Sequence, residues 1–168
     1  MIISKKYTLR QWQSGDEDSL SENANNHKIW RNLKDIFPYP YTLIDAYEWV
    51  KMASNTPTNF AIEVKGKAVG GIGVLLKDDI YKRNAEIGYW LGEEYWGQGI
   101  ISSAITEIVD YTFRNFDVFR IYAGVFEYNL ASMRVLEKAG FHQEAILKKS
   151  LLKEGELFDE HIFVKFRE

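Results

Sequence analysis

A chain of 168 residues, 46% apolar and 15% aromatic, is long enough for one folded domain with a proper core. Its 24 acidic and 21 basic side chains leave a formal charge of −3 with no long basic run, which argues against nucleic acid as the main partner. There is no cysteine, so disulfides, thiolate metal sites and a covalent cysteine nucleophile are excluded.

The three histidines, His27, His142 and His161, lack metal-ligand spacing, and no metal is expected. No stretch approaches the roughly 18–20 apolar residues of a membrane span, and residues 1–7 have no long apolar core. The expectation is a cytoplasmic protein without a membrane partner, folded as a single domain over 1–168.

Residues 3–12 alternate as an edge strand. Residues 16–26 are polar with Leu20 and Ala24 on one side, the pattern of a short exposed helix, and 27–33 continue as a second helical turn. Residues 36–42 hold two prolines and three aromatics and must be irregular. Thr42 reads as the N-cap of a helix over 44–53 with Ala46, Trp49, Val50 and Ala53 inward. Residues 59–64 and 67–76 form a hairpin around Lys65-Gly66. Residues 83–91 are the fourth strand, and alternation places Glu86, Gly88 and Trp90 on one face with Ile87 and Tyr89 opposite.

That strand runs into Glu94-Tyr-Trp-Gly-Gln-Gly-Ile-Ile-Ser-Ser-Ala-Ile. Gly97 and Gly99 open an apolar-periodic helix over 99–113. The arrangement exposes backbone N–H groups that carry partial positive charge and have no intrahelical partner, and these suit a phosphate. Alone the signal is weak, because glycine is common in turns. The absence of Gly-Lys-Ser/Thr excludes a Walker loop, and the absence of a third glycine speaks against a dinucleotide fold.

Residues 118–126 form the fifth strand. In 129–141, Asn129 caps a helix over 129–139, Met133, Leu136 and Ala139 with Val135 form an apolar stripe, and Gly140 stops it before Phe141. An ordinary capped amphipathic helix would look the same. Residues 141–151 and 157–166 are strands joined through 153–156. The order βααβββαβαββ suits a mixed α/β sheet with helices on both faces.

The two glycine-bearing motifs, in this order and about thirty residues apart, resemble the GNAT acetyltransferase superfamily. The turn matches that family's Gln/Arg-x-x-Gly-x-Gly/Ala signature at Glu94 to Gly99, with Glu94 departing from the usual first residue. Ala85-Glu-Ile-Gly-Tyr-Trp-Leu, then Tyr95-Trp-Gly-Gln-Gly-Ile, and Asn129-x-x-Ser132 with Gly140-Phe141 are similar to the branch of Rim-type ribosomal-protein N-terminal acetyltransferases. The resemblance implies a mixed, mostly antiparallel sheet of six to seven strands with helices on both faces and the fourth and fifth strands splayed. It also implies acetyl-CoA as cosubstrate. The N–H groups of Trp96, Gly97, Gln98, Gly99, Ile100 and Ile101 would hold the pyrophosphate, with a hydroxyl contact from Ser102. The pantetheine arm would lie along Tyr89, Trp90 and Leu91.

The resemblance also assigns roles. Many members place a tyrosine acid where this chain has Leu136. Ser132 lies four residues earlier on the same helix face and becomes the candidate near the departing sulfur. A surface serine bonding a backbone carbonyl is the alternative. Asn129 would cap the helix and bond the pantetheine arm or the acceptor. Glu86 occupies the place of a base acting on the amine through water, or is a salt-bridged surface residue. Trp30, Phe37, Tyr39 and Tyr41 would line the acceptor pocket, or would pack the first helices onto the sheet. The acceptor would be a protein N-terminal α-amine or a small-molecule amine, attacked directly in a ternary complex. The alternative is a non-catalytic acyl-CoA-binding regulatory module. A homodimer is compatible with the aromatic surplus, although no interface can be assigned.

Overall fold

The structure is a computed structural model and describes residues 1–168. It contains eight strands: β1 (Ile2–Ile3), β2 (Thr8–Arg10), β3 (Asn59–Val64), β4 (Lys67–Leu76), β5 (Asn84–Leu91), β6 (Arg120–Phe126), β7 (His142–Lys153) and β8 (Glu156–Phe166). Five helices accompany them: α1 (Glu17–Ala24), α2 (His27–Trp30), α3 (Leu43–Ala53), α4 (Ile100–Asn115) and α5 (Leu130–Lys138). The strands hydrogen-bond in the order β1-β2-β3-β4-β5-β6-β8-β7. Pairing is antiparallel at β1–β2, β2–β3, β3–β4, β6–β8 and β7–β8, and parallel at β5–β6. No helix is long and apolar enough to cross a membrane.

The count of eight corrects the expected six to seven. The predicted edge strand over 3–12 is broken at Lys5-Lys6, where the Ser4 N–H reaches the Tyr7 carbonyl at 2.9 Å. The two halves pair with each other, Ile2 with Leu9 and Ile3 with Thr8. Two consecutive lysines favour a solvated tip over a continuous strand. The predicted fourth and fifth strands are therefore β5 and β6. Their parallel pairing covers Asn84–Arg120, Ala85–Ile121 and Glu86–Tyr122 and ends there, although both strands continue.

The chain divides into two units, Met1–Gly73 with Tyr89–Ala104, and Val74–Gly88 with Ile105–Glu168. In the first, Trp12, Leu20, Ala24, Tyr41, Ala46, Val50, Ala53, Ala61 and Ala68 form a core, with Phe37, Trp49 and Trp90 packed against it. α3 begins with a reciprocal cap: the Asp45 N–H donates to Thr42 Oγ1, and the Thr42 N–H donates back to the Asp45 carboxylate. α1 is less exposed than its composition suggests, because Asp16 and Glu17 are buried at its start. Buried Arg10 explains Asp16: its guanidinium holds both carboxylate oxygens at 2.7 Å and also pairs with Glu63.

In the second unit, Ile105, Ile108 and Val109 of α4 and Met133, Leu136 and Ala139 of α5 are buried, with Ile121, Val125, Phe163 and Val164 from the strands. Thr112, also buried, donates to the Ile108 carbonyl at 2.7 Å. β7 bulges between Leu147 and Leu151. Asp159 of β8 holds that bulge through the Lys149 N–H at 3.0 Å and Lys148 Nζ at 2.8 Å.

Candidate functional site

The first unit carries the glycine turn. After β5 a single 3₁₀ turn over Glu93–Tyr95 reverses the chain, and the Trp96 N–H donates to the Glu93 carbonyl at 3.1 Å. That amide is committed, so the set of donors expected from Trp96 to Ile101 starts one residue later, at Gly97. Gly97 and Gly99 have φ of 72° and 77°. Both are exposed, and a Cβ on either would meet nothing within 4 Å. Glycine is required there by backbone conformation, not by crowding. α4 follows at Ile100, and its first intrahelical bond is Ser103 N–H to the Gly99 carbonyl at 3.3 Å. The amides of Gly97 to Ile101 thus precede the helical ladder on a solvent-facing turn, a geometry that fits a phosphate group. Ser102 Oγ donates to the Gly99 carbonyl at 3.0 Å, the helix-surface role that competes with a phosphate contact.

Several groups fix the turn. The Trp96 indole N–H donates to the Leu91 carbonyl at 2.7 Å, tying the turn to the end of β5. Gln98 Nε2 donates to the Glu94 carbonyl at 3.1 Å, and Lys6 Nζ donates to the Gln98 carbonyl at 2.8 Å. Glu93 accepts from Lys28 and from Asn26 Nδ2, and these two bonds, Lys28 first, hold its carboxyl below the ordinary range. Asn26 also caps α2 through the Lys28 N–H. The partners Lys6, Lys28 and Asn26 were not marked by the sequence, because each reaches the turn from a segment more than sixty residues away.

Of the expected acceptor residues, Trp30 and Tyr39 stack at 5.6 Å between ring centroids, with His27 within 5.4 Å of both. Tyr39 is 46% exposed. Phe37 contacts Tyr41 at 4.8 Å and Trp90 at 5.8 Å. Tyr41 is 6% exposed and belongs to the core, the packing role weighed for it above. Burial, and then the Asp45 carboxylate, push its phenol well above the ordinary value, so it stays neutral. The Trp90 ring is likewise a packing group. A Cβ on Gly71 would meet its Nε1 at 2.8 Å, and one on Gly70 would meet the Trp90 carbonyl at 2.6 Å.

The second unit holds Glu86, Asn129 and Ser132. Glu86 accepts from Lys77 Nζ at 2.8 Å, the salt-bridged arrangement weighed above. Burial alone would lower the Lys77 ammonium, but its bonds to Glu86 and Tyr122 outweigh that and hold it above the ordinary value. Asn129 Oδ1 accepts the Ser132 N–H at 3.2 Å, so the predicted cap is present. Ser132 is half-buried, one turn before fully buried Leu136.

The model of the acetyltransferase (GNAT) domain matches residues 6–142, and the chain belongs to the GNAT acetyltransferase family, a family of enzymes. It is 32% identical to the uncharacterized N-acetyltransferase YnaD of Bacillus subtilis, over 99% of this chain and 97% of that protein. It is 46% identical to YjcK of Bacillus subtilis, named a probable N-acetyltransferase, over 47% of this chain but only 43% of that protein's length. Among solved structures it superposes on RimL, a ribosomal L7/L12 α-N-protein acetyltransferase in complex with coenzyme A. The TM-score is 0.84 at 21% identity, covering 98% of this chain and 96% of that one.

Proposed function

We propose that this chain, as one acetyltransferase domain over 1–168, transfers acetyl from acetyl-CoA to a primary amine by direct attack in a ternary complex. The observation that carries the reading is the left-handed Gly97–Gly99 turn, which leads the amides of residues 97–101 into α4 ahead of its first ladder bond. The pyrophosphate of the cosubstrate would bind there, and the end of β5 would pair the pantetheine amides where the parallel ladder has stopped. That similar proteins bear N-acetyltransferase names, and that RimL was solved with coenzyme A, supports this choice.

Chemically the acceptor must be neutral, since an ammonium has no lone pair. Its nitrogen attacks the acetyl carbon, the carbon–sulfur bond breaks, and a proton leaves the nitrogen. Glu86 would receive that proton through water, with Lys77 steadying the carboxylate between turnovers. Ser132 would hydrogen-bond the departing sulfur, which a serine hydroxyl does better than it protonates it. A backbone N–H near Leu91 would hold the developing oxyanion. No cysteine exists to carry a thioester, which favours direct transfer. Trp30, Phe37 and Tyr39 would border the acceptor.

The acceptor is a protein N-terminal α-amine or a small-molecule amine. An α-amine with pKa near 8 needs less from a base than an alkylamine near about 10. The Lys77–Glu86 pair is the one observation that favours the second reading, a regulatory acyl-CoA-binding module, because it engages the candidate base. Steady-state kinetics over peptides with free N-termini, polyamines and amino acids tests the proposal. Transfer to one class, with kcat lowered by Glu86→Gln and Ser132→Ala, supports the enzyme and names its acceptor. Binding of acetyl-CoA without transfer to any amine supports the module.

A further inference from the structure

The turn that faces the cofactor carries the wrong charge for it. Residues 92–103 contain two carboxylates, Glu93 and Glu94, and no cation. Coenzyme A brings a pyrophosphate and a ribose phosphate. Backbone dipoles at an exposed helix end supply only a small stabilisation per charge. Glu93 is already matched by Lys28 and Asn26. Glu94 is exposed and stands where the related signature has a glutamine or arginine.

A cation reaches this turn from elsewhere. The β1–β2 hairpin, where one continuous strand was expected, projects Lys6 from its tip. Lys6 Nζ lies 2.8 Å from the Gln98 carbonyl, between the two left-handed glycines and across 92 positions of chain. An ammonium has three N–H donors, and the Gln98 carbonyl accepts one. The charge is held at the Gln98 carbonyl, within the turn that leads into α4.

We infer that Lys6 is a phosphate-binding residue for the coenzyme A moiety, supplying from the N-terminal hairpin the positive charge that Glu94 removes from the turn. The inference rests on the cofactor reading above. Lys6 acts on binding and takes no part in the chemistry at the acetyl carbon.

The test is calorimetric titration of coenzyme A, 3′-dephospho-coenzyme A and pantetheine into the wild-type chain, Lys6→Ala and Lys6→Arg, at low and high salt. Lys6→Ala should raise the coenzyme A Kd about tenfold, the size of one charge-assisted hydrogen bond. It should flatten the salt dependence and raise KM for acetyl-CoA with kcat unchanged. Lys6→Arg should keep most of the affinity. Comparing the loss with 3′-dephospho-coenzyme A assigns the contact to the ribose phosphate or to the pyrophosphate, and either supports the inference. Equal coenzyme A affinity in wild type and Lys6→Ala overturns it. So does a loss of coenzyme A affinity with an unchanged salt dependence, which would make Lys6 a brace for the turn. Failure of the wild type to bind coenzyme A overturns the cofactor reading itself, a distinguishable result.

Discussion

Two positions at the residue scale separate conformation from contact. Gly97 and Gly99 need glycine for their φ alone, since space around them is open. Gly99→Ala should therefore strain the backbone by about 1–2 kcal/mol and move the amides that lead into α4. The expected outcome is at least a tenfold rise in KM for acetyl-CoA with a small change in melting temperature; an unchanged KM would remove the turn from the site. Asn129 and Ser132 share a bond but should separate in experiment. Asn129→Ala removes the α5 cap and should cost about 1 kcal/mol of stability, read from a denaturant midpoint. Ser132→Ala keeps its N–H and the cap, so it should lower kcat while leaving stability near wild type. The same residues show what a sequence can reveal. Thr42 and Asn129 were legible as caps because their partners lie three residues away. Lys77 beside Glu86 and Lys6 beside Gln98 were not, because strand pairing and hairpin direction bring them together. The choice between a base and a salt bridge at Glu86 turns on that kind of partner.

At the scale of elements, the N-terminal segment diverged most from its pattern. Alternation over 3–12 described the side-chain faces but not the Lys5-Lys6 reversal. Asp16, read as part of an exposed helix, is buried because Arg10 on β2 needs carboxylates, and buried Glu17 accepts the Gly15 N–H at 2.7 Å. Asp16→Ala should destabilise by about 3 kcal/mol, the low end for a broken buried pair because Glu63 still faces the guanidinium. A change under about 1 kcal/mol in urea melts would contradict that account. The β7 bulge gives a pH signature. Asp159 bonds Lys148 and the Lys149 N–H, and these hold its carboxyl at about 2, below the unfolded value of about 3.9. A depressed carboxyl contributes stability that is present above the unfolded value and lost as pH falls through the folded one. The melting-temperature gap between wild type and Asp159→Asn should be constant from pH 7 to about pH 4 and close between about pH 4 and pH 2. A gap independent of pH would show that the carboxylate's charge is not what holds the bulge.

For the whole molecule, the order of elements carried most of what the sequence showed. The hairpin at Lys65-Gly66, the glycine turn, the α5 cap and the closing β7–β8 pair are local features; the glycine turn and the Asn129–Phe141 motif carried the resemblance, and the match over residues 6–142 shows the family. The aromatic excess divided in a way no periodicity indicates: Trp12, Tyr41 and Trp90 pack a core, while Tyr39 is exposed beside half-buried Trp30. The central claim is that the chain binds acetyl-CoA at the Gly97–Gly99 turn and passes its acetyl group to an amine. The most direct measurement is mass spectrometry of the acceptor, with thiol release followed in the same reaction, for wild type and Gly99→Ala over the amine panel. The account predicts one acetyl added per thiol released in the wild type, both slowed together in Gly99→Ala at limiting acetyl-CoA and converging at saturation. Thiol release without an acetylated amine, or equal rates in both proteins at limiting acetyl-CoA, would contradict it.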